Sequence, residues 1–140
     1  MEMSRRDACW LVPALLASTG YAAEATTLAS KTYRFQDLSA HPSDGHTTRP
    51  ILEGMTHAGC HIELHETTLE PGASPHPPHQ HVREEMFFIR EGQLDVTIAG
   101  TPTRLGPGSV AFVASNDEHG VSNPGPQTAQ YFVLAIGNDK

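Results

Sequence analysis

What this chain lacks narrows it first. Cysteine is scarce: the 140 residues hold two, Cys9 and Cys60. Cys9 falls in an N-terminal stretch that reads as removable, so Cys60 is left without an intrachain partner and a disulfide framework is excluded. Stability has to come from a packed core or from a partner subunit, with a homodimer as the open case. Positive charge is also short, with nine Lys and Arg against 16 Asp and Glu and a net charge of −7. The nine are scattered, which excludes a nucleic-acid partner, because phosphate binding needs clustered Lys and Arg. No apolar run reaches the roughly 20 residues that cross a bilayer. Past the N-terminal stretch, no segment sustains the helical apolar period of 3.6 residues, so a helical bundle is excluded as well.

Breakers are plentiful instead, with 11 prolines and 12 glycines beside 38% hydrophobic residues. That balance belongs to a small, turn-rich globular fold, and the length sets an expectation of one domain.

Residues 1–23 read as an export signal. Arg5-Arg6 supply the positive start, Ala8 to Ala17 form an apolar stretch of ten residues, and small residues from Ser18 to Ala25 suit cleavage near Ala22, Ala23 or Ala25. Ser4-Arg5-Arg6 resembles the opening of a twin-arginine signal, although Ala8, Cys9 and Trp10 depart from it. The expectation is an exported, periplasmic protein with no membrane attachment after cleavage. Its removal takes Glu2, Arg5, Arg6 and Asp7, so the net charge stays at −7.

Residues 24–50 form a polar segment with one short alternating piece, Lys31 to Phe35. From 51 to 137 the chain becomes a series of strand-like runs between Gly and Pro turns. These are Ile51 to Thr56, Ile62 to Leu69, Glu85 to Ile89, Leu94 to Ala99, Val110 to Val113 and Ala129 to Ile136. Leu94, Val96 and Ile98 alternate with Asp95, Thr97 and Ala99, the period of a half-buried strand. Ala129 to Ile136 is nearly all apolar and is expected to be buried on both faces. Many short strands at such spacing predict an all-β fold, a single small antiparallel barrel or sandwich.

Two stretches carry chemistry. In the first, His79, His81 and Glu85 share one parity, so an extended chain points all three to one face. Two imidazoles and a carboxylate together suit a divalent transition metal. In the second, an apolar strand runs through a polar turn to His119. On spacing alone His119 reads as a hydrogen-bonded surface histidine.

Together the two stretches resemble the paired motifs of the cupin superfamily. Gly72 is followed by six residues, His79-x-His81, three residues, Glu85, six residues and Gly92, a lead-in one residue longer than the family's. In the second motif Gly108, Ala114, Asn116, His119 and Asn123 take the family's places, with Ala for Pro and Asn for Gly. Asn tolerates positive φ, so the second replacement is mild. The resemblance implies a jelly-roll barrel with one divalent metal ion held by His79, His81, Glu85 and His119. It adds His119 to the ligands and leaves two octahedral positions open for water, dioxygen or a chelating substrate. Nitrogen and oxygen donors suit Fe, Mn, Ni, Co, Cu or Zn; no organic cofactor is implied.

Parity turns Phe87 and Ile89 inward beside Glu85, and Val121 beside His119, which predicts an apolar cavity for a small organic ligand or substrate, with Ile89 and Val121 expected as plain barrel core. His76, in the Ser-Pro-His-Pro-Pro loop, and Phe87 are the candidate pocket residues. His61 and His65 share a parity with Glu63, so one of them could reach the site, but they and His57 are expected on a solvated face. A metal-dependent enzyme is the leading reading, a dioxygenase-type oxidoreductase within it. A lyase, decarboxylase or isomerase is the enzymatic alternative, and a periplasmic small-molecule or metal-binding module without turnover the non-enzymatic one. No general acid or base stands out in the sequence.

Overall fold

The computed structural model describes residues 27–138, so the expected signal lies outside the described residues. Every named strand pairing is antiparallel. After a short 3-10 turn at Phe35–Asp37 come β1 (His41–Ser43), β2 (His46–Met55), β3 (His61–Leu69), β4 (Glu84–Glu91) and β5 (Leu94–Ile98). Then follow β6 (Thr101–Leu105), β7 (Val110–Val113), β8 (His119–Ser122) and β9 (Ala129–Ile136). They form a six-stranded sheet in the order β1-β2-β3-β9-β4-β7 and a three-stranded sheet in the order β6-β5-β8. This is an antiparallel two-sheet fold, as the strand spacing predicted, and the jelly-roll form that the resemblance implied.

The core lies between the two sheets and obeys the period of two. Leu69, Phe87, Ile89, Val113, Tyr131 and Val133 from the larger sheet meet Leu94, Val96 and Val121 from the smaller. Ile98 packs against that cluster, so the alternation of Leu94, Val96 and Ile98 points inward as expected.

Four strand expectations change. The Lys31–Phe35 piece is irregular chain leading into the 3-10 turn. The first strand begins at His41, and β2 starts at His46 rather than at Ile51. Pro50 is accommodated because β1 pairs only with His46 to Thr48, and the β2–β3 register shifts between Pro50 and Leu52. β9 alternates between buried and half-buried residues, so one face alone is fully covered. The short run Val110–Val113 buries only Val113 fully, while Val110 and Phe112 are about half exposed on the outer face.

Residues 27–40 strap that outer face. Leu28 donates its N–H to the Met55 carbonyl at 2.8 Å. The guanidinium groups of Arg49 and Arg90 each lie 5.1 Å from the Phe35 ring. Beneath Arg49, the Glu66 carboxylate is fully buried and takes hydrogen bonds from Arg49 and the Thr68 hydroxyl, both at 2.8 Å. The strap therefore closes over a satisfied ion pair rather than over an unpaired charge.

Candidate metal centre

The two histidines of the first motif are held by backbone contacts, not by a strand. His79 exchanges both main-chain hydrogen bonds with His119, at 2.9 and 2.8 Å. The Asn116 N–H donates to the His81 carbonyl at 2.8 Å. Asn116 stands at φ 64, the left-handed conformation expected of an Asn in a glycine's place. Pro78 lies against Gly120, where a Cβ would meet the proline ring at 3.2 Å, so the small residue lets loop and strand approach. Thus the second motif docks the first, and their side chains converge.

The rings of His79, His81 and His119 stand at centroid distances of 5.1, 4.7 and 5.0 Å from one another. One nitrogen of each lies within 4.8 Å of the others, close enough for one ion to reach all three. Glu85 joins from the start of β4, its Oε1 3.2 Å from His81 Nε2 and its Oε2 3.1 Å from His119 Nε2.

The hydrogens decide what this arrangement requires. His81 Nδ1 lies 2.8 Å from the Arg83 carbonyl and His119 Nδ1 2.9 Å from the Asp117 carbonyl. A carbonyl only accepts, so both Nδ1 atoms carry hydrogen, and in the neutral rings both Nε2 atoms present lone pairs. Each Nε2 then faces a carboxylate oxygen, acceptor against acceptor. A proton, on a ring or on the carboxylate, removes that conflict, and so does a metal ion between them. The backbone carbonyls also orient the rings, as partners of metal-bound histidine usually do. His79 adds a buried Nδ1 with no hydrogen-bond partner. Burial first, then the nearby imidazoles of His76, His119 and His81, lower its pKa, with Glu85 partly opposing. A ring kept neutral is a competent ligand, and the donor set fits a divalent transition ion.

Beside the cluster a cavity of about 300 Å³ is bordered by Glu85, His76 and Phe87. His76 is exposed, and its ring meets that of His79 edge-on at 4.3 Å. Ile89 and Val121 point inward into the core as parity indicated. The cavity is not apolar throughout. Phe87, Val121 and Val133 form an apolar side, but His46, Thr48, Glu63, His65 and Thr67 from β2 and β3 line a polar one. Tyr131 also borders it, its hydroxyl pushed well above the usual range chiefly by burial.

Glu63 and His65 thus belong to the cavity wall and not to a plain solvated face, their side chains 39% and 24% exposed. The parity they share with Thr67 and the buried Leu69 was the available signal; what hid it was their polar and charged character, which reads as a solvated face. His61 is engaged too, accepting at Nδ1 from the Arg83 guanidinium at 2.7 Å. His57 sits in an exposed turn.

The family described as Cupin domain matches residues 65–136. No curated protein sequence matches the chain. Among solved structures, an RmlC-like cupin from Shewanella frigidimarina superposes with a TM-score of 0.66 at 16% identity, covering 79% of this chain and 93% of that one. The polyketide cyclase RemF from Streptomyces resistomycificus gives 0.63 at 22% identity, over 79% of this chain and 85% of that one. A predicted oxalate decarboxylase from Thermotoga maritima gives 0.64 at 19%, over 77% of this chain and all (100%) of that one. Likeness at such identities carries the fold and no activity.

Proposed function

The chain belongs to the Cupin domain family, and on that premise we propose that it is a metal-dependent enzyme acting on a small, oxygen-bearing organic molecule. The observation that carries this reading is the pair of Nε2–carboxylate contacts made by Glu85 with His81 and His119. A divalent ion would satisfy them, and they open onto a cavity of substrate size. In this reading His79, His81, Glu85 and His119 hold one divalent ion. When bound, such an ion polarises a substrate oxygen and stabilises negative charge developing on it.

The chain's own residues divide the remaining work. Phe87, Val121 and Val133 exclude water from one side of the cavity, and Thr48 and Thr67 offer hydroxyls to orient polar groups. The titratable groups on the β2–β3 side favour proton transfer, of the lyase or isomerase kind. A dioxygenase-type oxidation is the second reading. It draws on the apolar side and on a nitrogen-rich donor set that suits redox-active iron or copper.

The test is elemental analysis of protein purified from its native compartment, followed by turnover assays with and without dioxygen. Anaerobic turnover of a carbonyl or hydroxy-acid substrate supports the leading reading. Oxygen consumption with a phenol or diketone supports the second. Stoichiometric metal held tightly with no turnover in either assay would leave a binding or storage module. Export belongs to the same proposal: N-terminal sequencing of periplasmic protein should begin near residue 23, and a cytoplasmic, uncleaved chain would overturn it.

A further inference from the structure

The inner face of the six-stranded sheet sets side chains in cross-strand rows. Glu63 on β3, Ala135 on β9 and Glu85 on β4 oppose one another in one row, and His65, Val133 and Phe87 in the next. Adjacent strands lie about 4.8 Å apart, so the backbones of Glu63 and Glu85 are roughly 10 Å apart across β9. Both border the same cavity, with the imidazole cluster behind Glu85. A small molecule seated between them meets Glu85 on one side and the Glu63–His65 pair on the other.

That second side is anchored through the Glu63 carboxylate. His65 Nδ1 lies 3.4 Å from Glu63 Oε1. The other Glu63 oxygen accepts from Arg83 Nη1 at 3.0 Å, and Arg83 Nη2 donates to His61. His65 is not one of the three clustered imidazoles, so it is free of the metal's demands. From this geometry we infer that His65 is the acid–base residue of the cavity. Glu63 fixes its tautomer, and it moves a proton to and from a substrate carbon that adjoins a carbonyl. The inference rests on the enzymatic reading above and names the residue that performs its proton transfer.

A carboxylate oxygen only accepts, so Glu63 places the imidazole proton on Nδ1 and leaves the Nε2 lone pair for the cavity. At 3.4 Å the two groups make an ion-pair contact and not an aligned hydrogen bond, as catalytic pairs often do before substrate closes on them. In the step, the substrate C–H bond breaks and a new N–H bond forms at Nε2. The electron pair stays on the substrate as an enolate, and Glu63 balances the imidazolium. Returning the proton to the carbon or oxygen end of the enolate restores neutral His65, with no oxidant or reductant involved. Other titratable groups on the cavity are His46, His76, Glu85 and Tyr131. His46 spends its Nδ1 on the Asp44 carbonyl at 3.1 Å and has no carboxylate behind it. Burial keeps Tyr131 protonated.

Two measurements on the full chain test this. Nitrogen-15 NMR of the imidazoles should find neutral His65 mainly as the Nδ1–H tautomer, moving toward Nε2–H in Glu63→Ala. Predominant Nε2–H in the wild type overturns the inference. Zinc-loaded protein in D₂O should exchange the α-hydrogens of at least one of pyruvate, 2-oxobutyrate and dihydroxyacetone. His65→Gln should slow that exchange about 100-fold with zinc stoichiometry unchanged. Equal exchange by the variant, or none by the wild type with any probe, also overturns it. Failure of the wild type to bind zinc or any other divalent ion instead sinks the enzymatic reading itself.

Discussion

Glu85 and His119 meet across the barrel, the carboxylate from the larger sheet lying 3.1 Å from a ring nitrogen of the smaller. With His119 Nδ1 committed to a backbone carbonyl, this contact between a neutral ring and an ionised carboxylate has no hydrogen to share, and a metal ion or a proton would reconcile the two. A divalent ion held as proposed would tie the two sheets together as well as the four side chains.

Removing either partner should show this directly. His119→Ala and Glu85→Ala should each weaken divalent-metal affinity by more than about 100-fold, beyond what losing an outer-sphere partner does. In the wild type, metal at 100 times its Kd should add about 2.7 kcal/mol of stability, or roughly 10 °C in Tm. Neither variant should show that rise. Calorimetric titration and thermal melts with and without metal check both, and stoichiometric metal in both variants would refute the ligand set.

The pKa of His79 gives the metal-free protein a pH dependence of definite sign. Burial and three neighbouring imidazoles hold it below its ordinary value of 6.5. In the window between its lowered folded value and 6.5 the unfolded chain binds a proton that the folded one refuses. Stability should therefore fall as pH drops through that window, with the full penalty reached below the folded pKa and none above the unfolded one. Urea midpoints measured from about pH 7 to about pH 5 should decline, and more shallowly in His79→Gln. Metal affinity should fall in the same direction, since protons compete for the ring.

The motif residues were readable because each does something local that spacing can encode. Asn116 needs positive φ, and His79 and His81 need their separation of two. Leu94 and Val96 announce a barrel wall by alternation alone. What escaped was whatever depends on a neighbour distant in sequence. β6 is an edge strand of exposed Thr, Pro and Arg, with no apolar face to betray it. Pro50 lies inside β2 because one side is unpaired there. Glu63 and His65 look like solvated polar residues until β9 and β4 enclose the face they share.

Two motif glycines should respond differently to alanine. Both have positive φ, 74° at Gly92 and 83° at Gly108. A Cβ on Gly92 would lie 2.6 Å from the Thr128 carbonyl oxygen and 2.8 Å from Ala129 Cα, and backbone cannot easily yield. A Cβ on Gly108 meets nothing within 4 Å. Gly108→Ala should therefore cost about 1 kcal/mol, from conformation alone. Gly92→Ala should cost about 3 kcal/mol, the clash adding to the conformational cost. Equal urea midpoints for the two variants would contradict this account.

The ion pair beneath the N-terminal strap allows a test that separates a charge's presence from its pairing. Glu66 is fully buried while Arg49 remains 21% exposed, so the pair is shielded mainly on the acid's side. Arg49→Met strands the carboxylate with only the Thr68 hydroxyl and should cost about 3 kcal/mol, the low end for a broken buried pair because solvent reaches the arginine. Removing both charges in Arg49→Met with Glu66→Leu should recover most of that loss, since no buried charge is left uncompensated. The Phe35 ring keeps Arg90 against it in either variant, so the strap itself should stay docked. Chemical denaturation of the single and double variants measures the coupling. A double variant as unstable as the single one would show that the guanidinium's packing against Phe35, and not its charge, holds this face together.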